Sequence, residues 1–326
     1  MIIGLGAIAV DTVLVTAGHW SEGKGRILQR QVRMGGNVRN AVVAAAALGA
    51  KVAYLGCLSA ADEWSLVTTD LADHGVDLEF VERHHGADPI QSTIVLTADA
   101  ERFIAFDDSV LQTTPMPSAE LVQRALAVAS VLLVDASTAP EGTLAVIEQA
   151  RGRGIPIVVD AERFLPGETV VEQILAHADH IILPRHFALS LTATSLDTDR
   201  LPVRVRDALS VSHHAVVAVT DGANGVVACS QVNETPVIEQ CSAFEVRAVD
   251  TVGCGDVFHG AYAVALDRGL PLGHRLRYAS AAAASVAALT EDRDRIPDVR
   301  VIAELLGSAD YQHYEGWSIG SGGAST

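Results

Sequence analysis

The sequence predicts an α/β fold, a doubly wound and mostly parallel sheet flanked by helices, together with a small β-sheet lid. Two observations predict it. Short, β-rich and nearly continuously apolar segments alternate with helical patterns along most of the 326 residues, as in βαβ units whose strands are buried on both faces. Three further segments alternate apolar and polar residues instead, which is typical of half-exposed strands.

The core elements follow from the first pattern. Strands are expected at 2–10, 52–56, 131–135, 155–160, 180–183 and 215–220. Helices are expected between them at 37–48, 63–74, 118–127, 142–151 and 170–177. The C-terminal third is expected to continue with a strand at 244–249, a helix at 256–268 and an alanine-rich helix at 272–289.

The half-exposed strands are expected at 26–33, 91–97 and 102–107, as an antiparallel sheet apart from the core. The first strand leads into Gly35-Gly36, so we expect a flap over a site beside these glycines. One domain is therefore predicted at 1–310, with lid strands from about 12–34 and 88–110. The tail at 311–326 is too small and polar in composition to bury surface of its own, and no function is assigned to it.

Composition excludes several classes of protein. A net charge of −17 and a pI near 5.0 argue against a nucleic-acid-binding surface, which needs a basic stripe. No segment approaches the roughly 18 uninterrupted apolar residues of a membrane span, and the first residues lack the basic region of a signal peptide. We therefore expect a soluble, cytoplasmic protein with no membrane partner. The four cysteines show no CxxC spacing, so neither a zinc site nor a disulfide framework is predicted.

The most informative motif is the glycine-rich turn Asp250-Thr251-Val252-Gly253-Cys254-Gly255-Asp256, which precedes an apolar helix. Two glycines around one small residue let backbone N–H groups converge on an anion, and the helix N-terminus adds partial positive charge. A carboxylate in this turn would repel a static anion. Asp256 is therefore interpreted as a base that takes the proton of an alcohol attacking a bound phosphoryl group. The glycines alone also allow a purely structural tight turn.

A second motif, Gly35-Gly36 followed by Asn40 in the first turn of a helix, suits a ligand with hydroxyl groups. The glycines let the backbone approach a ligand closely, and the Asn40 amide both donates and accepts hydrogen bonds. An ordinary helix start has the same letters. Asp11 follows the first strand, where a turn residue is equally expected.

Together these motifs resemble the two signatures of the ribokinase-like (PfkB) carbohydrate kinase family. Asp-Thr-x-Gly-x-Gly-Asp before an apolar helix resembles its C-terminal signature, and Gly-Gly with Asn four residues later resembles its N-terminal one. The resemblance implies ATP-dependent phosphorylation of a hydroxyl on a sugar or sugar-like substrate. The run at 255–266, together with Arg295-Ile296-Pro297-Asp298, is most similar to the sulfofructose kinase and ketohexose kinase branch, so a ketose or sulfofructose-like substrate is favoured.

The resemblance also implies roles for individual residues. The catalytic positions are Asp256 and the backbone N–H groups of Gly253, Cys254 and Gly255. The substrate positions are Asp11, Gly35, Gly36, Asn40 and, as one of several candidate cations for a charged substrate with Arg26, Arg30, Arg33 and Arg39, Arg102. The nucleotide positions are Thr220, Gly222, Gly225, Arg185 and Ser280, although local sequence alone favours a hairpin turn at 220–225 and a packing role for Ser280.

The cofactors implied are ATP, Mg²⁺ and a monovalent cation near Asp250. One departure from the family bears on the metal. Where the family commonly has Pro-Asn-x-x-Glu, this chain has Pro184-Arg185-His186-Phe187-Ala188. A guanidinium contacts phosphate but cannot ligate Mg²⁺, so the metal ligands are left unassigned. Pairing of lids in the family implies a homodimer.

Two alternatives compete with the kinase. The altered segment at 184–188 allows a non-catalytic sugar- or nucleotide-binding protein on the same fold, but such a protein has no chemical need for Asp256. Gly4-Leu5-Gly6 loosely matches a dinucleotide fingerprint, yet the chain continues with a β-like pattern where that fingerprint requires a helix. His259, three residues after Asp256, is interpreted either as a packed helix residue or as a group supporting the site.

Overall fold

The structure is a computed structural model that describes residues 1–17, 26–97, 102–107, 109–162, 168–192, 200–209, 211–212, 214–233, 235–289 and 296–307. The strands are β1 (Ile2–Leu5), β2 (Ala9–Thr16), β3 (Ile27–Gly35), β4 (Val52–Tyr54), β5 (Gly56–Ser59), β6 (Val81–His84), β7 (Ile90–Leu96), β8 (Arg102–Asp107), β9 (Val131–Asp135), β10 (Ile157–Asp160), β11 (His180–Pro184), β12 (Val216–Thr220), β13 (Val226–Val232) and β14 (Thr235–Cys241). The α-helices are α1 (Asn37–Ala47), α2 (Ser65–Asp73), α3 (Val110–Thr113), α4 (Ala119–Val128), α5 (Pro140–Gly152), α6 (Thr169–His177), α7 (Arg185–Thr192), α8 (Leu201–Leu209), α9 (Cys254–Asp267), α10 (Leu272–Ala287) and α11 (Val299–Leu306), and 3-10 turns lie at Asp62–Trp64 and Gly222–Asn224.

The main sheet has the strand order β14-β13-β12-β11-β10-β9-β1-β4. Neighbouring strands of this sheet are parallel from β4 to β12. The pairs β12–β13 and β13–β14 are antiparallel. Along β1, Ile2 packs into a core formed with α1, α9 and α10, and Ile3 into a core formed with α4, α5 and α6. Strands buried on both faces explain the continuous apolar runs. The predicted α/β fold is confirmed.

A separate small sheet has the order β3-β2-β7-β8. The expected strand at 2–10 is divided, because the chain leaves the main sheet after Leu5 and enters the small sheet at Ala9. The expectation of an antiparallel sheet is wrong at one pair, since β2 and β7 run parallel. Parallel pairing needs a long crossover, and the chain between these strands contains α1 and α2.

The strand expected at 244–249 is also wrong. These residues form no strand in the structure, and the last strand of the main sheet is instead β14, whose Pro236 is tolerated because β14 is an edge strand. The backbone N–H groups of Val249 and Asp250 both donate to the carbonyl oxygen of Ala287 at the end of α10. Phe244 packs against the core with the guanidinium of Arg277 on α10 over its ring, whereas Val249 is about half exposed. The tail at 311–326 lies outside the described residues, and no described helix is long and apolar enough to cross a membrane.

Helices α1 and α9 pack in unusually close contact through Gly260. A Cβ atom added at Gly260 would lie 2.2 Å from the carbonyl oxygen of Ala41. Both residues are completely or almost completely buried, so no side chain can be accommodated there by rotation into solvent. The close packing brings the first turn of α1 next to the first turn of α9.

We expect Gly260→Ala to force α1 and α9 apart. The added methyl group should lower the free energy of unfolding by about 1–3 kcal/mol, the usual cost of overpacking a core, measured by urea denaturation. Gly152→Ala is the control, because Gly152 is also a helix residue, the last of α5, yet has no atom within 4 Å of an added Cβ. Equal stability of the two variants would contradict the close packing.

Candidate functional site

The carboxyl edge of the main sheet gathers acidic side chains. Asp135 ends β9 and Asp160 ends β10, and the two are partners in the register of these parallel strands. Glu162 follows two residues later and accepts a hydrogen bond from Asn37 Nδ2 at 3.1 Å. In open α/β sheets ligands bind outside this edge. The sequence analysis did not select these three acids, although two of them end predicted strands.

The glycine-rich turn at 250–256 ends in the first turn of α9, which lies at this edge of the sheet. Gly253 is the N-cap of α9 with φ of 75°, a left-handed conformation that favours glycine. The N–H of Cys254 donates to the carbonyl oxygen of Thr251 at 3.3 Å. Among the described residues, no acceptor is found for the N–H groups of Gly253, Gly255 and Asp256. The turn therefore presents N–H donors to an anion, as the sequence predicts for Gly253 and Gly255.

Asn40 and Asp256, one from each sequence motif, are in direct contact. Asn40 Nδ2 donates a hydrogen bond of 2.8 Å to Asp256 Oδ2, between residues 216 positions apart. Gly36 makes this placement possible, because its φ is 98° and an added Cβ would lie 2.6 Å from the carbonyl oxygen of Ala7. The first turn of α1 thus lies directly against the connection between β1 and β2.

The surroundings of Asp256 raise its pKa toward neutral pH. Burial, followed by the negative charge of Asp160, raises the pKa of Asp256 to about 7, while the hydrogen bond from Asn40 opposes the rise. Burial and the neighbouring charges of Asp135 and Glu162 likewise raise the pKa of Asp160 well above its usual value. A general base is most effective when its pKa lies near the working pH.

His259 is buried beneath the turn and connects it to the sheet. Its Nδ1 lies 2.8 Å from the carbonyl oxygen of Gly255, and its Nε2 lies 3.3 Å from the carbonyl oxygen of Ile182. The same Nε2 is 3.7 Å from Asp160 Oδ1. The ring is therefore packed between α9 and the sheet with acceptor atoms on both sides, and its support of the site stays a prediction.

Asp11 lies on β2 at the entrance to the same region. It accepts a hydrogen bond of 2.5 Å from Ser92 Oγ, and an added Cβ at Gly35 would lie 2.3 Å from its Oδ2, so Gly35 is required for the close approach. Burial raises the pKa of Asp11, and the positive charges of Arg33 and Arg39 oppose the rise. Asp11, Gly35, Gly36 and Asn40 are therefore neighbours. Arg102 begins β8 opposite Leu96, but its side chain lies outside what the structure describes.

A cavity of about 500 Å³ lies farther along the carboxyl edge, between the end of β12 and the end of β14. Arg185, Asp221 and Gly225 line it, and an added Cβ at Gly225 would lie 2.1 Å from the carbonyl oxygen of Cys241. Thr220 ends β12 beside Pro184, and Gly222 starts the turn with φ of 50°. This turn does join an antiparallel hairpin, β12 to β13, as local sequence suggests, and it borders the cavity as well.

Arg185 and Ser280 contact residues of this cavity. Arg185 Nε lies 3.4 Å from Asp221 Oδ2, so the residue that departs from the family pattern has a carboxylate partner on the next strand. Ser280 on α10 hydrogen-bonds to Cys241, whose thiol lines the cavity. Ala188 is completely buried in α7 and offers no polar atom.

Comparison with known proteins matches residues 1–298 to the model of the pfkB family carbohydrate kinases. A ribokinase of Haemophilus influenzae is 24% identical over 303 residues, covering 93% of this chain and 97% of the relative. The structure of Arabidopsis thaliana ribokinase complexed with ribose and ATP is 21% identical, with a TM-score of 0.79 and coverage of 94% and 98%. A Burkholderia thailandensis nucleoside kinase in complex with inosine is 19% identical, with a TM-score of 0.71 and coverage of 94% and 96%.

We expect Asp160→Asn to lower the pKa of Asp256, because the variant removes a negative charge that disfavours ionisation of Asp256. The pH titration of the Asp256 carboxyl carbon by NMR measures the change. Asp62→Asn, which removes an exposed acid from a 3-10 turn outside the site, is the control and should leave the titration in place. An unchanged Asp256 titration in Asp160→Asn would contradict the electrostatic coupling of the two acids.

Proposed function

Because the chain belongs to the pfkB family of carbohydrate kinases and is an ATP-dependent sugar kinase, we propose that Asp256 is the base of its phosphoryl transfer. Asp256 takes the proton of the sugar hydroxyl, the hydroxyl oxygen bonds to the γ-phosphorus of ATP, and the bond from that phosphorus to the β-γ bridging oxygen breaks, so that ADP leaves. The hydrogen bond from Asn40 to Asp256 supports this assignment most directly, because it joins the base to the sugar-binding motif.

The open helix N-terminus is proposed to hold the transferred group. The N–H groups of Gly253, Gly255 and Asp256 can donate to phosphoryl oxygens as charge builds up on them, whereas Cys254 N–H already has a partner in Thr251. Removal of one such donor typically costs about 100- to 1,000-fold in rate.

The sugar is proposed to lie between Asp11 and Asn40, with Gly35 and Gly36 close to it. Asp11 is suited to accept hydrogen bonds from two hydroxyl groups, because a carboxylate has about four acceptor sites and the bond from Ser92 uses one of them. The burial of Asp11 strengthens such bonds. Arg33 lies directly opposite Asp11 in the register of β2 and β3. A fixed cation there favours a substrate with an anionic group and supports the sulfofructose-like proposal, whereas the names of the relatives point to ribose.

ATP is proposed to bind in the cavity that Arg185 and Gly225 line. Thr220 and Gly222 are chain neighbours of the lining residue Asp221, and Ser280 hydrogen-bonds to the lining residue Cys241. Within the described residues, no group of three His, Cys, Asp or Glu side chains is placed to hold a metal on its own. Mg²⁺ usually binds through phosphate oxygens, waters and one or two carboxylates, so Asp160 and Glu162 fit as its protein ligands and Arg185 does not. The metal would neutralise charge on the phosphates.

Two further proposals come from the resemblance. A monovalent cation is proposed near Asp250, whose Oδ1 accepts the N–H of Val252 at 2.9 Å. A homodimer is proposed through the small sheet, where Leu28, Val32 and Phe103 are about half exposed to solvent.

We expect Asp256→Asn to reduce kcat by about 100- to 10,000-fold, the usual contribution of a positioned base. ADP release is first measured with ribose, ketoses, sulfofructose and nucleosides, and the variant is then tested on the best substrate. In the wild type, kcat/KM should rise through about pH 7 as Asp256 loses its proton.

Calorimetry should show that Asp256→Asn still binds sugar and ATP. Asp267→Asn, an exposed acid at the other end of α9, is the control and should keep wild-type turnover. Turnover near the wild-type rate in Asp256→Asn would disprove the proposed role.

We expect Arg185→Gln to raise KM for ATP by roughly tenfold or more, as for the loss of a hydrogen bond to a charged group. KM for the sugar should change little, because Arg185 lines the cavity at the ends of β12 and β14, away from Asp11 and Asn40 in the fold. Steady-state kinetics with each substrate varied measures both constants. Arg153→Gln, at an exposed helix end, is the control. A larger change in sugar KM than in ATP KM would contradict this placement of the nucleotide.

A further inference from the structure

Arg39 is a buried cation directly behind the site. It lies on α1 next to Asn40, and only 4% of it is exposed. Its guanidinium makes a two-pronged bond to Asp70 on α2, from Nε to Oδ2 at 2.8 Å and from Nη2 to Oδ1 at 2.5 Å. Paired bonds of this kind fix the plane of the guanidinium as well as its distance from the carboxylate.

The third nitrogen of the Arg39 guanidinium, Nη1, contacts Asn40 in the site. Nη1 donates to Asn40 Oδ1 at 3.1 Å, and the Nδ2 of the same amide donates to Asp256 Oδ2 at 2.8 Å. A flipped amide would point its NH₂ group at the guanidinium and its oxygen at the carboxylate, so both contacts would become unfavourable. Arg39 therefore selects the one orientation in which Asn40 donates to Asp256.

We propose that Arg39 and Asp70 are positioning residues for phosphoryl transfer, which hold the Asn40 amide in the orientation that stabilises the ionised form of Asp256. The proposal rests on the proposed role of Asp256 as base. It extends the site by one helix, because Asp70 belongs to α2, which supplies none of the residues assigned to sugar, nucleotide or phosphoryl group.

Tying α2 to α1 does not by itself account for an ion pair in which Arg39 is 4% and Asp70 14% exposed. Well-packed apolar side chains join helices at least as stably, because most of the hydration of both charges must be removed. What an apolar pair cannot do is orient an amide. Arg39 also acts on the sugar side, since its positive charge opposes the rise in the pKa of Asp11.

The contacts run from Asp70 through Arg39 and Asn40 to Asp256, and other charged groups lie near both ends. Asp160 and Glu162, after β10, and His259 on α9 act on Asp256. At the far end, His74 Nδ1 lies 3.5 Å from Asp70 Oδ1. None of these groups lies between Arg39 and Asn40 in the described contacts, so a variant of Asp70 changes Asp256 chiefly through the Asn40 amide.

The test is the pH dependence of kcat/KM in Asp70→Asn. Without its carboxylate partner Arg39 no longer holds Asn40, the bond to Asp256 weakens, and the limb near pH 7 should move to higher pH by about one unit, the value of an ordinary hydrogen bond to a charged group. At pH 7 this shift alone lowers kcat/KM by about fivefold. KM for ATP should be unchanged. Asp73→Asn, an exposed acid three residues along on the same helix, is the control and should not move the limb.

A second variant separates positioning from folding. Arg39→Lys keeps a cation beside Asp70 but lacks the fork that reaches Asn40 at the same time. Arg39→Lys should move the rise of kcat/KM near pH 7 to higher pH, as Asp70→Asn does, while lowering the melting temperature less. In an Asn40→Ala background, in which the amide is absent, Asp70→Asn should cause no further shift.

The outcomes distinguish this inference from the proposed function. Lower stability with the limb unmoved in both Asp70→Asn and Arg39→Lys would overturn the positioning role and leave a purely structural ion pair. A further shift in the Asn40→Ala background would overturn it too, because the effect would then bypass Asn40. If Asp256→Asn itself turned over normally, the proposed function would fail first.

Discussion

The hydrogen bond from Asn40 to Asp256 is the contact on which the arrangement of the site depends. It joins the first turns of two helices that are far apart in sequence, and it forms only because those helices pack with almost no space between them. Gly260 allows α9 to touch the backbone of α1, and Gly36 allows α1 to begin against the connection between β1 and β2. The first turns of α1 and α9, to which the proposed sugar and phosphoryl ends of the site belong, are thus held together by packed helices.

The same bond opposes the rise in the pKa of Asp256 at the carboxyl edge of the sheet. Asp160 and burial push the pKa of Asp256 upward, which would leave it protonated and unable to accept a proton, while the Asn40 amide pulls it back to about 7. A chain of net charge −17 has no general field that attracts phosphate. In the proposed site the N–H donors of the turn and Arg185 would do so locally. The proposal thus combines an acidic edge, which raises the pKa of Asp256, with a few donors for an anion.

Local sequence predicted the parts of this molecule that local chemistry determines. Buried parallel strands leave apolar runs, so β4 and β9 to β12 were found close to their observed bounds, whereas the strand expected at 2–10 is divided and β13 and β14 were not expected. The acid in the turn at 250–256 has few structural uses. Contacts between distant residues leave no such pattern. Nothing in the sequence joins Arg39 to Asp70 or Ser92 to Asp11, because each pair forms only when separate elements meet. The segment at 244–249 misled because its apolar and polar alternation fits a strand, although these residues form no strand in the structure.

The departure at 184–188 shows how one substitution changes the balance at the nucleotide end. Replacing an amide by Arg185 adds a positive charge at the end of β11, and Asp221, at the end of the neighbouring β12, lies 3.4 Å from its Nε. Nε itself has no hydrogen-bond partner among the described residues, so Asp221 attracts the guanidinium as an ion pair without a hydrogen bond to that atom. Under the proposal that ATP binds in this cavity, Arg185 would compensate charge on the phosphates. Because Ala188 supplies no oxygen, Asp160 and Glu162 would remain as the proposed carboxylate ligands of a metal.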